Sequence, residues 1–204
     1  MDKDVVEVDG VIVRANAKLY YMLNKPRGIV TTASDEKGRP TVYDYLGEEG
    51  RSLSPVGRLD KASEGLLLFT NDTEWAAQVL APETHLEKTY HVQVGTHDAA
   101  SLLDQLVDGI PCEGEALRAK RVRIIRGGKR NTWLEIVLEE GRNRHIRRMF
   151  QQLGVEVLRL VRVSIGPLSL GQLPKGQTRV LTAAEKRALD HAMNLTPSRS
   201  ELRG

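Results

Sequence analysis

Apolar and polar positions alternate with period two over several short stretches of this chain, and that spacing predicts strands. Residues 88–94 (KTYHVQV) show it most cleanly, with Tyr90, Val92 and Val94 on one face and Thr89, His91 and Gln93 on the other. Residues 5–13 (VVEVDGVIV) read as two short strands around an Asp-Gly turn. Residues 18–24 (KLYYMLN) are β-prone and run into Lys25-Pro26-Arg27-Gly28, a turn that opens a polar loop to Pro40. A loop over 54–60 leads into an apolar strand over 65–70. Further strands are expected at 117–126 and 133–138, joined by a hairpin-type loop, and at 155–163.

Elsewhere the period lengthens towards that of a helix. Asn71 and Asp72 stand where an N-cap belongs for a helix through Leu80. An amphipathic helix over 98–107 is stopped near Gly109. In 144–153, Ile146, Met149, Phe150 and Leu153 fall at i, i+3, i+4 and i+7, and Gly154 closes the helix. Thr182-x-x-Glu185 is a capping box that starts a last helix of roughly ten residues. The Ser/Arg-rich tail from Asn194 is expected to fray. Runs of strands broken by a few helices, without βαβα regularity, give an α+β fold with a mostly antiparallel mixed sheet.

Composition narrows the class. With 204 residues, 40% hydrophobic and 28% charged, the chain can build one domain, whole or split into two lobes, and is not disordered. The apolar runs are too short to cross a bilayer; 66–69 (LLLF) is typical. Residues 1–9 carry acids where a secretory leader would be apolar, and the one cysteine, Cys112, excludes an internal disulfide and cysteine-based zinc sites. A reducing cytoplasm is the expected location. The net charge of +3 hides a division: residues 1–100 hold 11 Lys and Arg against 16 Asp and Glu, residues 101–204 hold 19 against 11. Arginine gathered in one half suits either a solvated basic face or a polyanion partner, for which nucleic acid is the usual choice.

Three segments could carry chemistry. In Gly57-Arg58-Leu59-Asp60-Lys61, a carboxylate flanked by cations enters an apolar strand; positive neighbours keep such an anion available as nucleophile or base, although a turn Asp with surface ion pairs fits the same spacing. Nothing sets Asp60 and Glu64 on opposite sides of a sugar, so a glycosidase pair is a weak reading. In residues 140–149 (EGRNRHIRRM), about 100° per residue turns Arg144 and Arg148 away from the apolar stripe and leaves Arg147 on its flank. Outward arginines suit phosphates or simply solvent, and Arg147 is placed to reach a site beside the core. Tyr90 is either core or a plane on which a base stacks. The histidines show no convergent ligand pattern, so no metal is assigned.

Taken in order, 57–70 (GRLDKASEGLLLFT), Lys88-Thr89-Tyr90 and 140–149 resemble the pseudouridine synthases, in particular the RsuA-like subfamily that modifies ribosomal RNA. The resemblance implies a synthase core with two lobes flanking a central cleft. It also implies isomerisation of a specific uridine to pseudouridine in ribosomal RNA, with 23S favoured over 16S, and without a cofactor. Asp60 matches the essential aspartate, Tyr90 the tyrosine that stacks on uracil, and Arg147 the arginine that pairs with the aspartate. Arg58 matches an arginine that holds the flipped nucleotide or its vacated place, and Leu67 and Ile146 match apolar pocket positions. Arg142, Arg144, Arg148, Lys129 and Arg130 are left to hold the RNA backbone. His145 departs from the Gln usual in the subfamily, and Thr73 from a Gly.

The implied organisation is an N-terminal hairpin or remnant over 1–17, a catalytic domain over 18–182, and a C-terminal helix and tail over 183–204. Many subfamily members begin with a small RNA-binding domain, so residues 5–13 resemble at most its last hairpin. A monomer is expected. Two rivals remain: a non-catalytic RNA-binding or ribosome-assembly protein with this fold, and a hydrolase that would release free uracil. Retention of Asp60 in a polyanion groove, where it repels phosphate, argues against the first.

Overall fold

The alternating segment forms a strand with the expected bounds, Lys88–Val94, in the computed structural model of the chain, which describes residues 5–8, 11–14, 17–32 and 36–194. In chain order the strands are β1 (Val5–Val8), β2 (Val11–Arg14), β3 (Tyr20–Lys25), β4 (Ser54–Val56), β5 (Glu64–Thr70), β6 (Lys88–Val94) and β7 (Ile110–Cys112). They continue as β8 (Glu115–Leu117), β9 (Arg121–Gly127), β10 (Thr132–Leu138), β11 (Val157–Ile165), β12 (Leu168–Ser169) and β13 (Thr178–Val180). Between them lie α1 (Gly47–Gly50), α2 (Thr73–Leu80), α3 (Leu103–Asp108) and α4 (His145–Gln152), with α5 (Ala183–Ala192) last.

One sheet runs in the order β13-β3-β5-β11-β6-β10-β9, with β4 added to β5 and β12 to β11. Its pairings are antiparallel except β5 with β11, so the expected α+β class with a mostly antiparallel mixed sheet holds. Strand β5 explains where the sheet opens. One edge pairs with β3 from Gly65 to Thr70. Its other edge is divided: Glu64 and Gly65 pair with β11, whereas Leu68, Phe69 and Thr70 pair with β4. The chain between β4 and β5, residues 57–63, therefore emerges where the sheet parts into two lobes.

The lobes bury their strands differently. On the β5 side both faces are covered: Leu66 and Leu68 pack with Met22, Trp75, Val79 and Leu189, while Leu67 and Phe69 pack with Leu23, Val42, Leu46 and Leu53. Two covered faces are why β5 is continuously apolar, each such side chain contributing about 1.5–3 kcal/mol on burial. On the β6 side one face packs, with Tyr90, Val92, Leu134 and Ile136 against Leu106, Met149 and Phe150, and the strands alternate accordingly.

Several expectations on bounds are corrected. The strand predicted over 117–126 is two: Leu117 ends the β7–β8 hairpin, paired with Ile110, and Ala119 leaves it to bond the Leu106 carbonyl at 2.7 Å before β9 begins. The helix expected over 98–107 starts as a 3-10 turn, Ala100–Leu102, and β11 begins two residues late because Glu156 is held by Gly95. Residues 54–56, read as loop, form β4, and β12 and β13 lie in a stretch without clear alternation. The expected N-terminal strands pair as β1 and β2, with Val8 opposite Val11, while Asp9 and Gly10 lie outside the described residues, as does the tail beyond Asn194. The last helix has the expected cap: the Thr182 hydroxyl accepts from Glu185 N–H and the Glu185 carboxylate from Thr182 N–H.

Candidate active site

The loop 57–63 is fixed from the β3 side by groups that sequence reading did not single out. Lys25 is fully buried, and its ammonium donates to the carbonyls of Pro26 (3.2 Å), Asp60 (3.1 Å) and Ser63 (2.9 Å). Burial pulls its pKa down to about 8, against the opposing charges of Asp60 and Glu64. The Thr31 hydroxyl donates to Leu59 O at 2.8 Å, and Gly28 N–H to Lys61 O at 2.7 Å. Ser63 N–H closes a turn on Asp60 O at 2.9 Å. Backbone carbonyls are thus consumed by the scaffold, and the Asp60 carboxylate is left facing outward, about one-third exposed.

Next to this loop, Glu64 begins β5 with its carboxylate buried. It accepts two hydrogen bonds from Arg159, both 3.0 Å, and an ion pair from Lys175 at 2.5 Å. Burial pushes the carboxyl up, but these cations outweigh it and hold the pKa below the usual carboxylate range. Glu64 is therefore a strut between β5 and β11.

Asp60 looks into a cavity of about 400 Å³ lined by Arg58, Lys88, Tyr90, Leu138, Arg142, Arg144, His145, Ile146, Leu160 and Arg162 among others. One carboxylate thus faces five cations. Tyr90 is buried at 8% exposure and belongs to the β6 core while also lining the cavity. Ile146 and Arg58 line the same space, Ile146 buried and Arg58 exposed.

The arginines are not sorted as the helical wheel predicted. Arg144 is not in the helix: it precedes α4 in a left-handed conformation, φ 48°, which swings it to 3.6 Å from the Asp60 carboxylate. Arg147 is half-buried on the flank, as expected. Instead of an ion pair with Asp60 it donates to two carbonyls, Ala62 at 3.0 Å and Val157 at 3.4 Å. Burial and the nearby Arg144 and Arg27 pull its pKa below the usual guanidinium range, while Asp60 opposes them. Arg148 does not face open solvent, because the β7–β8 hairpin covers that side and supplies Glu115 (2.7 Å), Glu113 (3.2 Å) and Cys112 O (3.3 Å). Arg142 is paired with Glu115 and with Glu140 at 3.0 Å.

Two further expectations separate from the cavity. Leu67 is fully buried in the β5 core with Leu23 and Phe69 and does not line it, since the alternation of β5 turns Leu67 to the lobe interior. Lys129 and Arg130 are exposed on the β9–β10 turn, closed by Gly128 N–H on Asn131 O at 2.9 Å. Conversely, Lys88, His145 and Arg162 join the cavity without having been picked as site residues, although Lys88 stands in a matched segment and His145 in a departure from one; convergence from β6, α4 and β11 brings them together. Burial holds the His145 imidazole below its usual pKa.

The family model described as RNA pseudouridylate synthase matches residues 19–152. The ribosomal large subunit pseudouridine synthase B of Bacillus subtilis is 38% identical over 197 residues, covering 94% of this chain and 81% of the relative. That of Escherichia coli K12 is 37% identical over 206 residues, covering 96% and 69%. A crystal structure of a pseudouridylate synthase superposes with TM-score 0.74 at 32% identity over 87% of this chain and 76% of the other. An archaeal box H/ACA Nop10–Cbf5 complex, at 17% identity and TM-score 0.57 over 76% and 50%, shares the fold.

Proposed function

This chain belongs to the RNA pseudouridylate synthase family, an isomerase family, and from that membership we propose that it converts one uridine of large-subunit ribosomal RNA to pseudouridine. The observation that carries the reading is the single carboxylate, Asp60, in a cavity shared with the Tyr90 ring and the Arg144 guanidinium. The target base must leave its stack, costing a few kcal/mol that pocket contacts recover. Tyr90 offers the stacking plane. Arg144 orients the Asp60 carboxylate from solvent, and Arg147 braces the loop behind it through the Ala62 carbonyl. Asp60 opens the chemistry, by attack on a carbon or removal of a ribose proton, so that N1–C1′ breaks, the uracil turns and C5 rejoins C1′. The same base leaves and returns with no net redox change, so the reaction calls for no cofactor.

Exposed Lys129 and Arg130 are assigned to the RNA backbone, and Arg58, exposed and lining the cavity, to the flipped nucleotide or its vacated place. The catalytic part spans 18–182, flanked by the N-terminal hairpin and the C-terminal helix, and the protein acts as a monomer in the cytoplasm. No helix among the described residues is long and apolar enough to cross a membrane. The large-subunit assignment is supported by the names of the relatives.

Substitution tests the chemistry. Asp60→Asn is expected to bind ribosomal RNA fragments like wild type and to form no pseudouridine; near-normal product from Asp60→Ala removes the assignment. Mapping pseudouridines in ribosomal RNA from cells with and without the gene tests the substrate. Loss of a large-subunit site is expected, and loss of a small-subunit site would overturn that choice alone.

A further inference from the structure

Strand β11 sets Arg162 directly across from Tyr90 of β6, so the two side chains are neighbours on one face of the sheet, and both line the cavity. Arg162 is 7% exposed. Its Nε donates to Leu66 O at 2.8 Å, but its Nη2 is buried and has no hydrogen-bond partner. A buried guanidinium N–H left without an acceptor is costly, and such an exception in a native site calls for a functional reason. A second cation stands beside it: Lys88, two residues before Tyr90 on the same face, where burial and the charge of Arg162 lower its pKa to about 8. Two cations held together in a partly buried wall beside a stacking ring form a site for an electron-rich edge.

Given the proposed reaction, a uracil stacked on Tyr90 presents its carbonyls to the neighbours of that ring. We infer that Arg162, assisted by Lys88, receives a uracil carbonyl oxygen and stabilises the negative charge that collects there as the base is released. If Asp60 attacks C1′, its oxygen replaces N1 on that carbon and the N1–C1′ electron pair leaves with the base. If Asp60 instead takes the C2′ proton, the C2′–H pair becomes the C1′=C2′ bond and the N1–C1′ pair again leaves with the base. That pair spreads from N1 to O2 and O4. Attack on C6 would push the C5=C6 pair to O4. Every route loads the carbonyl edge, and the charge is discharged when C5 bonds to C1′, gives up its proton and N1 regains one. Fixed cations at the place where charge develops act most strongly in a water-poor site.

The test varies the base as well as the protein. In single-turnover reactions, Arg162→Gln is expected to lose about 100-fold in the rate at which the N1-linked base disappears, the scale of one lost charge-stabilising donor. RNA affinity should stay within about threefold, because the effect is on the transition state and not on ground-state binding. Fluorine at C5 withdraws electrons and stabilises the same anion without help from the protein. On RNA carrying 5-fluorouridine at the target, the wild-type to variant rate ratio should therefore shrink about tenfold or more. Arg162→Lys, which keeps a charge and most of the packing, is expected to fall between the two enzymes and serves if the Gln variant fails to fold. Equal ratios on the two bases, or a folded Arg162→Gln within twofold of wild type, overturn the inference. If wild type makes no pseudouridine at all, the proposed function fails and this inference, which rests on it, falls with it; a wild-type enzyme that is active while the ratios stay equal overturns this inference alone.

Discussion

Arg144 and Arg147 stand three residues apart and have different partners. Arg144 is half-exposed and meets the Asp60 carboxylate; Arg147 is half-buried and ties the Ala62 carbonyl of the loop to Val157 of β11. An exposed pair contributes little to folding, whereas removing a donor from partly buried carbonyls costs about 1–2 kcal/mol. Arg144→Gln is therefore expected to leave the urea midpoint nearly unchanged and to lower kcat, and Arg147→Gln to lower the midpoint as well as kcat. Equal stability losses in the two variants would show that the partners are misassigned. The sequence already singled out Asp60, Tyr90 and the flank position of Arg147, because a charged loop entering an apolar strand and a helical stripe are local patterns. It could not show Arg144 facing Asp60, since the wheel presumes a helical residue and Arg144 adopts the left-handed conformation before the helix starts. Arg162 and Lys88 were equally illegible: their meaning lies in the β6–β11 pairing, which no local period reports.

Among the elements, legibility follows how one-sided the burial is. Strand β6 and helices α4 and α5 cover a single face, so their periods were clean and their bounds came out within a residue or two. Strands β12 and β13 are two and three residues long, too short for a period, and the β7–β8 hairpin turns on Glu113 and Gly114, both at positive φ, with no Asn-Gly signal. The parallel junction of β5 and β11 was invisible for the same reason, yet it sets the cleft. It rests on Gly65, at φ +102°, where an added Cβ would lie 2.2 Å from the Arg162 carbonyl oxygen. Neither backbone can yield cheaply, because β5 is paired on both edges. Gly65→Ala is expected to destabilise the protein by about 2–4 kcal/mol, from strain and from the clash together. A urea titration reads this directly, and a midpoint equal to wild type would mean that the close approach is not required.

For the whole molecule, ion pairing decides which cations of the arginine-rich half are left to meet phosphate. Arg142 and Arg148 are held by Glu115, Glu113 and Glu140, Arg121 by Glu87 and Arg123 by Glu135. Counting arginines in the basic half therefore overstates the charge available to RNA. Lys129 and Arg130 are exposed on the β9–β10 turn, with no ion pair among the described residues. A cation that neutralises a phosphate adds about 0.7–0.9 to the slope of log K against log salt, while one already neutralised by a carboxylate displaces no counterion until that pair breaks. The double substitution Lys129→Ala, Arg130→Ala is thus expected to lower the slope for a ribosomal RNA fragment by about 1.5, and Arg148→Ala to change it by less than about 0.3. Filter binding between low and moderate salt measures both. If Arg148→Ala lowers the slope as much as either exposed cation, the β7–β8 hairpin must release its arginines when RNA arrives. The covered face of α4 would then be part of the RNA surface after all.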